Sequence, residues 1–504
     1  MTNETRIAVA AGVFLTALAG WAVGGIGGWL VGLIAGLVLL VLPWRGQPVW
    51  SWAWLYLARN RTLALGEPTT ATNDRSGGGV RYQGHLVCAA VQVLGKAHRP
   101  TLLTGSTSTR SENTLDIHRL LPLMRHSLGL TIDSLSVVSA GSRRYASGDY
   151  AAVYDTLIGP APYAGRRETW LILRIDITRN GDALQWRSTA GAAVLAVAQR
   201  IASALRTEGV RAKVATATEI AGLDRRLGSS ALDTLNRRWH SLRGDAGWMT
   251  TYAYRTDDLR AETLGQAWSL RADGVIQNIT LFPDGTACAS VTIQTPKPPT
   301  VSPSLTLRTL PGEQAQALMS NMCGPLGKVR GRQRGPLPHC LSIPIAPSGV
   351  LIGKLGNGDR LLLPLADASD TSRIRIRADD AIAKRLIARL AATGERITVH
   401  TDDPRRWDSV RMQNLMVTDK PRPMPGTTVS VVDGVMDGTV SPAPRPNTVI
   451  LVGGAGVHGP ADVIIDQSGP DTVDVRTSIG CYHVGVELFR AENRFAAMDV
   501  GIAG

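Results

Sequence analysis

The sequence predicts a mixed α/β protein: an N-terminal two-helix transmembrane hairpin, cytosolic domains with β-α-β units, and a β-rich C-terminal region. Three observations carry this expectation. No charged residue occurs between Ile7 and Trp44; Trp170–Thr216 and Ile374–Thr401 each read strand–helix–strand; and Thr427–Gly504 is rich in Val, Gly and Asp. A chain of 504 residues has room for about three ordinary domains. At 44% hydrophobic and 19% charged residues it can build cores, which excludes wholesale disorder. Five scattered cysteines without a Cys-x-x-Cys pair exclude a disulfide scaffold and suit a reducing compartment.

The apolar run from Ile7 to Trp44, as one straight helix, would be about 57 Å long, roughly twice the hydrocarbon thickness of a bilayer. Two arms, Ile7–Val23 and Ile26–Leu42, fit better, with Gly24-Gly25-Ile26-Gly27-Gly28 as the reversal and Pro43 as the stop. Gly32 and Gly36, four apart, allow a close helix–helix approach. Arg6 precedes the first arm, and Arg45, Arg59 and Arg61 follow the second, so the basic residues place both termini in the cytoplasm. Six of the 12 tryptophans lie before residue 55, the crowding expected at a membrane interface. Trp50, Trp54 and Leu57, followed by Arg59 and Arg61, read as a short interfacial helix against anionic headgroups. A signal peptide cleaved near Ala17-Leu18-Ala19 is the alternative, but the apolar run continues past that site.

Beyond a linker over Leu65–Gly79, Val80–Val93 reads as strand with a turn at Gln83-Gly84. A helix is expected over Thr114–Ser127 and a strand over Thr131–Val138. In the first β-α-β unit, the strand Trp170–Ile177 is followed by a helix with Val194, Val197, Ala198, Ile201 and Leu205 on one face. Gly209 ends that helix, and Val210–Ala215 returns as the parallel neighbour of the first strand. The second unit repeats the pattern, with strand Ile374–Arg377, helix Asp379–Ala392 and strand Arg396–Thr401. The expected boundaries are 1–65 for the hairpin and interfacial segment, 66–295 for a cytosolic α/β domain and 296–304 for a Pro-rich linker. Residues 305–420 form a second α/β region and 421–504 the β-rich C-terminal region.

These residues also carry a family resemblance. The hairpin followed by Trp44-Arg45-Gly46, and then Gly79-Val80-Arg81-Tyr82-Gln83-Gly84, resembles the EccE component of mycobacterial type VII (ESX) secretion systems. The similarity continues through Asp133–Ser139, Tyr154–Pro160, Arg167–Leu171 and Arg200-Ile201-Ala202, is strongest up to about Ile220, and returns loosely over Gly349–Trp407. It implies a structural subunit of the inner membrane, joined to EccB, EccC and EccD components in a hetero-oligomeric, ring-shaped complex. In that family EccE sits at the periphery and stabilises the assembly, and the ATPase EccC supplies the energy. None of the matching motifs is catalytic.

Motifs that could carry chemistry each have a plainer explanation. Gly454-Ala455-Gly456-Val457-His458-Gly459 matches a dinucleotide fingerprint, with Asp474 at the spacing of a ribose-binding acid. The motif needs a helix after its last glycine, whereas here Pro460 leads into strand-like Val463-Ile464-Ile465. Gly327-Lys328 and Gly353-Lys354 lack the rest of a phosphate loop. Asp257-Asp258, Asp379-Asp380 and Asp402-Asp403 are adjacent carboxylates that point apart, and Asp379-Asp380 suits a helix N-terminus. No catalytic, cofactor-binding or metal-ligating residue is therefore assigned. Net charge is +13 with 47 Arg and 7 Lys, a bias also expected of a GC-rich genome. Arg330-Gly331-Arg332-Gln333-Arg334 and the alternating Arg373, Arg375 and Arg377 raise nucleic acid as a partner. Without interleaved aromatics the alternation reads instead as the solvated face of an edge strand, and no nucleic acid is expected. A membrane-anchored α/β enzyme, active or degenerate, and a membrane-tethered nucleic-acid binder stand as alternatives to the structural subunit.

Overall fold

A computed structural model describes residues 3–40, 43–44, 47–59, 62–72, 77–105, 107–126, 129–145, 147–185, 187–303, 306–367, 369–434, 448–453 and 460–496. Arg45, Arg61 and the glycine motif 454–459 lie outside these residues.

The N-terminal helix α1 (Asn3–Leu40) has a kink in its middle, where the φ/ψ angles of Gly24 and Gly25 leave the helical region. Among the described residues one helix, Val9–Val38, is long and apolar enough to cross a membrane. The expected two-helix transmembrane hairpin, its multi-pass topology and the cytoplasmic placement of both termini are therefore corrected to one candidate span. The physical reason lies in the interruption. Only Gly24 and Gly25 depart from helical geometry, so a sharp kink and not a loop joins two helical parts that are each near the lower limit for a span. Glycine nevertheless sets the packing of this segment. A Cβ on Gly20 would strike the Gly28 carbonyl, one on Gly32 the Thr16 carbonyl, and one on Gly36 the Thr16 hydroxyl. Phe14, Trp21, Ile26 and Ile34 are exposed, as lipid-facing side chains would be. A second helix, α2 (Val49–Ala58), follows and packs against α1.

Strands β1 (Thr69–Thr72), β2 (Gly77–Gln83) and β3 (Leu86–Leu94) begin a twelve-stranded antiparallel sheet. The expected helix over Thr114–Ser127 is absent. The hairpin β4 (Thr101–Thr104) and β5 (Ser108–Ser111) is followed by extended Thr114–Asp116 and two 3-10 turns, Ile117–Leu120 and Pro122–Met124. Pro122 lacks the N–H that an α-helix would need there, and Asp116 caps the first turn through the His118 N–H. The first sheet continues with β6 (Ser134–Ser142); helix α3 (Asp149–Ile158) then leads to β7 (Arg166–Asp176).

Helix α4 (Ala190–Thr207) and β8 (Arg211–Val214) complete the first strand–helix–strand unit, but β7 and β8 are not neighbours. Strand β3 lies between them, antiparallel to both. The hairpin β2–β3, formed earlier in the chain, occupies the place the crossover would otherwise fill. Period-2 alternation on β7 serves both faces of the sheet. Leu171, Leu173 and Ile175 join Val194, Val197, Ala198, Ile201 and Leu205 of α4 in one core. Trp170 and Ile172 point the other way, against Ile220 and Leu223 of α5 (Ala217–Arg226), a helix started by a Thr216/Glu219 capping box. Strands β9 (Leu242–Gly244), β10 (Gly247–Ala253), β11 (Gly274–Leu281) and β12 (Thr286–Thr295) extend the sheet beyond β6 in the order β6-β11-β12-β10-β9.

The second sheet also has twelve strands. Its members in chain order after β4 and β5 are β13 (Val350–Lys354), β14 (Arg360–Leu363) and β15 (Ser372–Arg377), followed by helix α6 (Asp380–Ala392). Then come β16 (Ile397–His400), β17 (Leu415–Thr418), β18 (Val429–Asp433) and β19 (Thr448–Val452), and finally β20 (Val463–Gly469), β21 (Thr472–Thr477) and β22 (Gly480–Val486). The spatial order is β17-β16-β18-β19-β15-β20-β21-β22-β13-β14-β4-β5, parallel from β17 to β20 and antiparallel beyond. In the second unit too, β15 and β16 are parallel but not adjacent, because β19 and β18 stand between them. Ile382, Leu386, Ile387 and Leu390 of α6 bury into the core of this sheet, as their spacing predicts.

Buried arginines tie these parts together. Arg143, just past β6, donates to Asp155 on α3 at 2.8 Å and to the carbonyls of Gly159, Ala161 and Trp268. Arg174, near the end of β7, donates to Ser136 and to the carbonyls of Ser320, Met322 and Gly324. Arg389 on α6, fully buried, grips both oxygens of buried Glu492 at 2.9 and 2.7 Å and also donates to the carbonyls of Leu351 and Glu487. Burial alone would lower the Arg389 pKa, but the bond and charge of Glu492 outweigh it and raise it. Replacing Glu492 with Ala strands that buried charge and is expected to cost about 3–5 kcal/mol. Thermal unfolding of the detergent-solubilised chain should show a clearly lower midpoint for Glu492→Ala than for Glu492→Gln; two melts equal to wild type would show that this clamp adds no stability.

Candidate interaction site

The carboxyl ends of the parallel strands bring together features that lie far apart in the sequence. Strand β15 leads to Asp379-Asp380, β16 to Thr401-Asp402-Asp403, and β18 ends on Asp433. Strand β19 ends just before the undescribed glycine motif. This edge is where open α/β sheets place ligands. Here, however, the polar groups are turned on one another. Asp379 caps α6 by accepting from the Ile382 N–H at 2.9 Å. Arg406 forms a forked pair with Asp380 and donates to Asp433 at 2.6 Å. Asp433 also accepts from the Trp407 indole at 2.7 Å and the Thr401 hydroxyl at 3.1 Å. The hydrogen bonds from Arg406 hold the Asp380 carboxyl below its usual range, and Asp380 in turn raises the Arg406 pKa. A carboxylate kept ionised in this way is a poor proton donor near neutrality. Burial lowers the pKa of His400, at the end of β16. Among the described residues no group of three or more His, Cys, Asp or Glu is arranged to hold a metal ion.

The other motifs have structural uses. After Pro460 the chain enters β20 with no helix between, so the described residues offer no helix N-terminus for a pyrophosphate. Asp474 lies on β21 and pairs across the strands with His483 at 2.7 Å. Gly327 is required because a Cβ would strike the Gln316 carbonyl, and Gly353 because one would strike the Gly485 carbonyl on β22. Lys328 is exposed, and Lys354 pairs with Glu487 at 3.2 Å. Asp257-Asp258 sits in a separate 3-10 turn, Thr256–Asp258.

The basic stretches are partly neutralised. The alternation over Arg373, Arg375 and Arg377 is real, with Ile374 and Ile376 buried between them. The strand is not an edge strand, however: β15 lies inside the sheet between β19 and β20. Arg377 makes a forked pair with Asp466 at 2.6 Å, which holds that carboxyl below its usual range. In the 330–334 loop, the N–H groups of Arg330 and Gly331 donate to buried Glu313, and the Arg334 guanidinium lies 3.5 Å from the Phe282 ring centroid. Sequence reasoning missed one contact that links the N-terminal helices to the rest of the chain. Trp239 packs against Trp52 and Tyr56 of α2 at centroid distances of 6.1 and 6.5 Å. Its only sequence signal was a lone tryptophan in a polar, basic stretch.

A family model described as "Putative type VII ESX secretion system translocon, EccE" matches residues 163–254, which cover β7, α4, β8, α5, β9 and β10. The chain is 49% identical over 519 residues to the ESX-2 secretion system protein EccE2 of Mycobacterium tuberculosis (strain CDC 1551 / Oshkosh), covering 99% of this chain and 96% of that one. It is 26% identical over 382 residues to the ESX-1 secretion system protein EccE1 of Mycobacterium tuberculosis (strain ATCC 25618 / H37Rv), covering 72% and 75% of the two chains. Similarity to the ESX-5 secretion system protein EccE5 of Mycobacterium marinum (strain ATCC BAA-535 / M) is 31% over 113 residues, 22% of this chain and 28% of that one.

The Asp380–Arg406–Asp433 network makes a pH-dependent prediction. The folded pKa of Asp380 is depressed from its ordinary value of 3.8. Its contribution is therefore fully present above that value and is lost as pH falls through the folded pKa. Arg406→Met leaves nearly buried Asp433 without its counterion and should cost about 3 kcal/mol near neutral pH. Denaturant unfolding across pH should show the gap between Arg406→Met and wild type narrowing below about pH 4; a gap that widens in acid would contradict this sign.

Proposed function

Because the chain belongs to the EccE family of type VII (ESX) secretion proteins, we propose that it stabilises a membrane-embedded ESX complex by direct contacts with the EccB, EccC and EccD components. As a family member it is a structural subunit, not an enzyme, and it associates with other Ecc proteins. The finer assignment, a peripheral place in a ring-shaped inner-membrane complex, is the reading of its family. The observation that carries it is the full-length match at 49% identity to a secretion-system protein. The architecture supports the same reading. A membrane-capable helix is joined to a large strand-rich body whose charged side chains at the parallel-sheet edge pair with one another. We assign the chain to an ESX-2-type system, because the ESX-2 relative is matched over 99% of the chain and the ESX-1 relative over 72% at 26% identity.

A nucleic-acid role fits less well, because Arg377 is committed to Asp466 and Arg334 to Phe282. Affinity purification of the tagged chain from native membranes in mild detergent tests the proposal. EccB, EccC and EccD components of an ESX-2-type system should accompany it in constant ratio. Recovery of the chain alone, or with components of a different ESX system, would contradict the partners or the system assigned.

A further inference from the structure

We propose that α2 and the turn over residues 233–240 form one lipid-facing surface, in which Leu235 enters the headgroup layer of an anionic bilayer beside α2. Helix α2 has two faces. Ser51 and Leu55 point inward at 0% and 7% exposure, while Trp54 and Leu57 point outward at 47% and 75%. An outward Trp and Leu on a short helix beside a membrane-capable helix is the pattern of an interfacial segment. Eight residues separate α1 from α2, so the start of α2 lies within about 30 Å of the end of α1.

Trp239 extends this surface to the strand-rich body. It packs on Trp52 and Tyr56, and its carbonyl accepts from the Gly312 N–H at 2.7 Å. Gly312 has φ of +74°, and a Cβ there would meet the Trp239 ring at 2.8 Å, so the indole is held in a close-fitting seat. Four residues earlier, Leu235 is 81% exposed. Its Cα lies within about 14 Å of that of Trp239 by chain length alone. A single exposed leucine needs no explanation, but this one is presented by a braced turn. The Leu235 N–H donates to Asp233 at 3.2 Å, and the Asn236 amide donates to the Ser230 carbonyl at 3.1 Å. Exposed Arg238 follows it, and exposed Arg59 lies 3.7 Å from the Tyr56 ring centroid at the end of α2. An apolar tip, seated aromatics and flanking guanidinium groups match an anionic bilayer surface. Continuity with α1 and α2 favours lipid over a protein partner as the occupant.

The test uses the full chain reconstituted alone in phosphatidylcholine vesicles with phosphatidylglycerol, so its outcome does not depend on the Ecc partners. The exposed Cys340 and Cys481 are first replaced by Ser. An environment-sensitive fluorophore is then attached at Leu235→Cys or, in a second variant, at Asn357→Cys in an exposed turn of the second sheet. At position 235 the emission should shift to the blue, spin-labelled lipid should quench it and aqueous iodide should not. The probe at 357 should behave in the opposite way. Trp239→Ala and Arg238→Glu, each added to the 235 probe, should reduce lipid quenching and restore iodide quenching. Water-like emission with iodide quenching at 235, or lipid quenching equal at both positions, would overturn the proposal; equal lipid quenching with and without Trp239→Ala would remove the joint surface with α2.

Discussion

A guanidinium group taken out of water must find a full set of acceptors, and this fold is organised around three arginines that do. Burying an uncompensated cation costs several kcal/mol even after relaxation, while charge-assisted hydrogen bonds are about twice as strong as neutral ones. Arg143 is 1% exposed and satisfies this requirement by holding α3 and the 159–161 turn at the end of β6. That position joins the two sheets. Tyr154 and Tyr163, which flank the turn, bond to the Leu351 N–H and the Gly349 carbonyl at the start of β13. Arg174 fixes the 320–324 segment to the first sheet through three carbonyls, and beside it Arg81 pairs with Asp224 at 2.6 Å. Burial pushes the Cys88 thiol in this region up to about 11, so it stays protonated and inert. Arg389 closes the second sheet onto residues 487–492.

Elements that obey a local rule were legible in the sequence. The 3.6-residue spacing of α4 and α6, the stops at Gly209 and Gly394, and the buried run of β7 all follow from short-range physics. The alternation of Arg373, Ile374, Arg375, Ile376 and Arg377 did too. What depended on distant chain was not legible. Nothing in the β7–α4–β8 sequence announces that β3 inserts between the two strands. Nothing around Arg373 reveals that two further strands flank it. The count of spanning helices failed for a different reason: Gly24 and Gly25 make a two-residue kink inside α1, with no loop between its two helical parts.

The candidate site was half visible. The sequence supplied the carboxylates Asp379-Asp380 and Asp402-Asp403, and the fold gathers them with Asp433 at one sheet edge. It did not reveal Arg406, which binds both Asp380 and Asp433 and makes the edge a brace. Arg174, a charge inside the otherwise apolar run Trp170–Ile175, was the one readable sign that arginines in this chain act as internal fasteners.

A protein whose buried charges are spent on internal bracing, and whose aromatic residues join the helix packed beside its membrane-capable segment to a strand-rich body, is suited to hold other subunits in place. The most direct measurement is the size and yield of the secretion complex extracted from membranes that lack this chain, compared with membranes in which it is restored. Without the chain, the remaining Ecc components should be recovered as smaller or fewer particles, and the wild-type chain should restore them. Complexes of the same size and yield in both membranes would contradict a structural role.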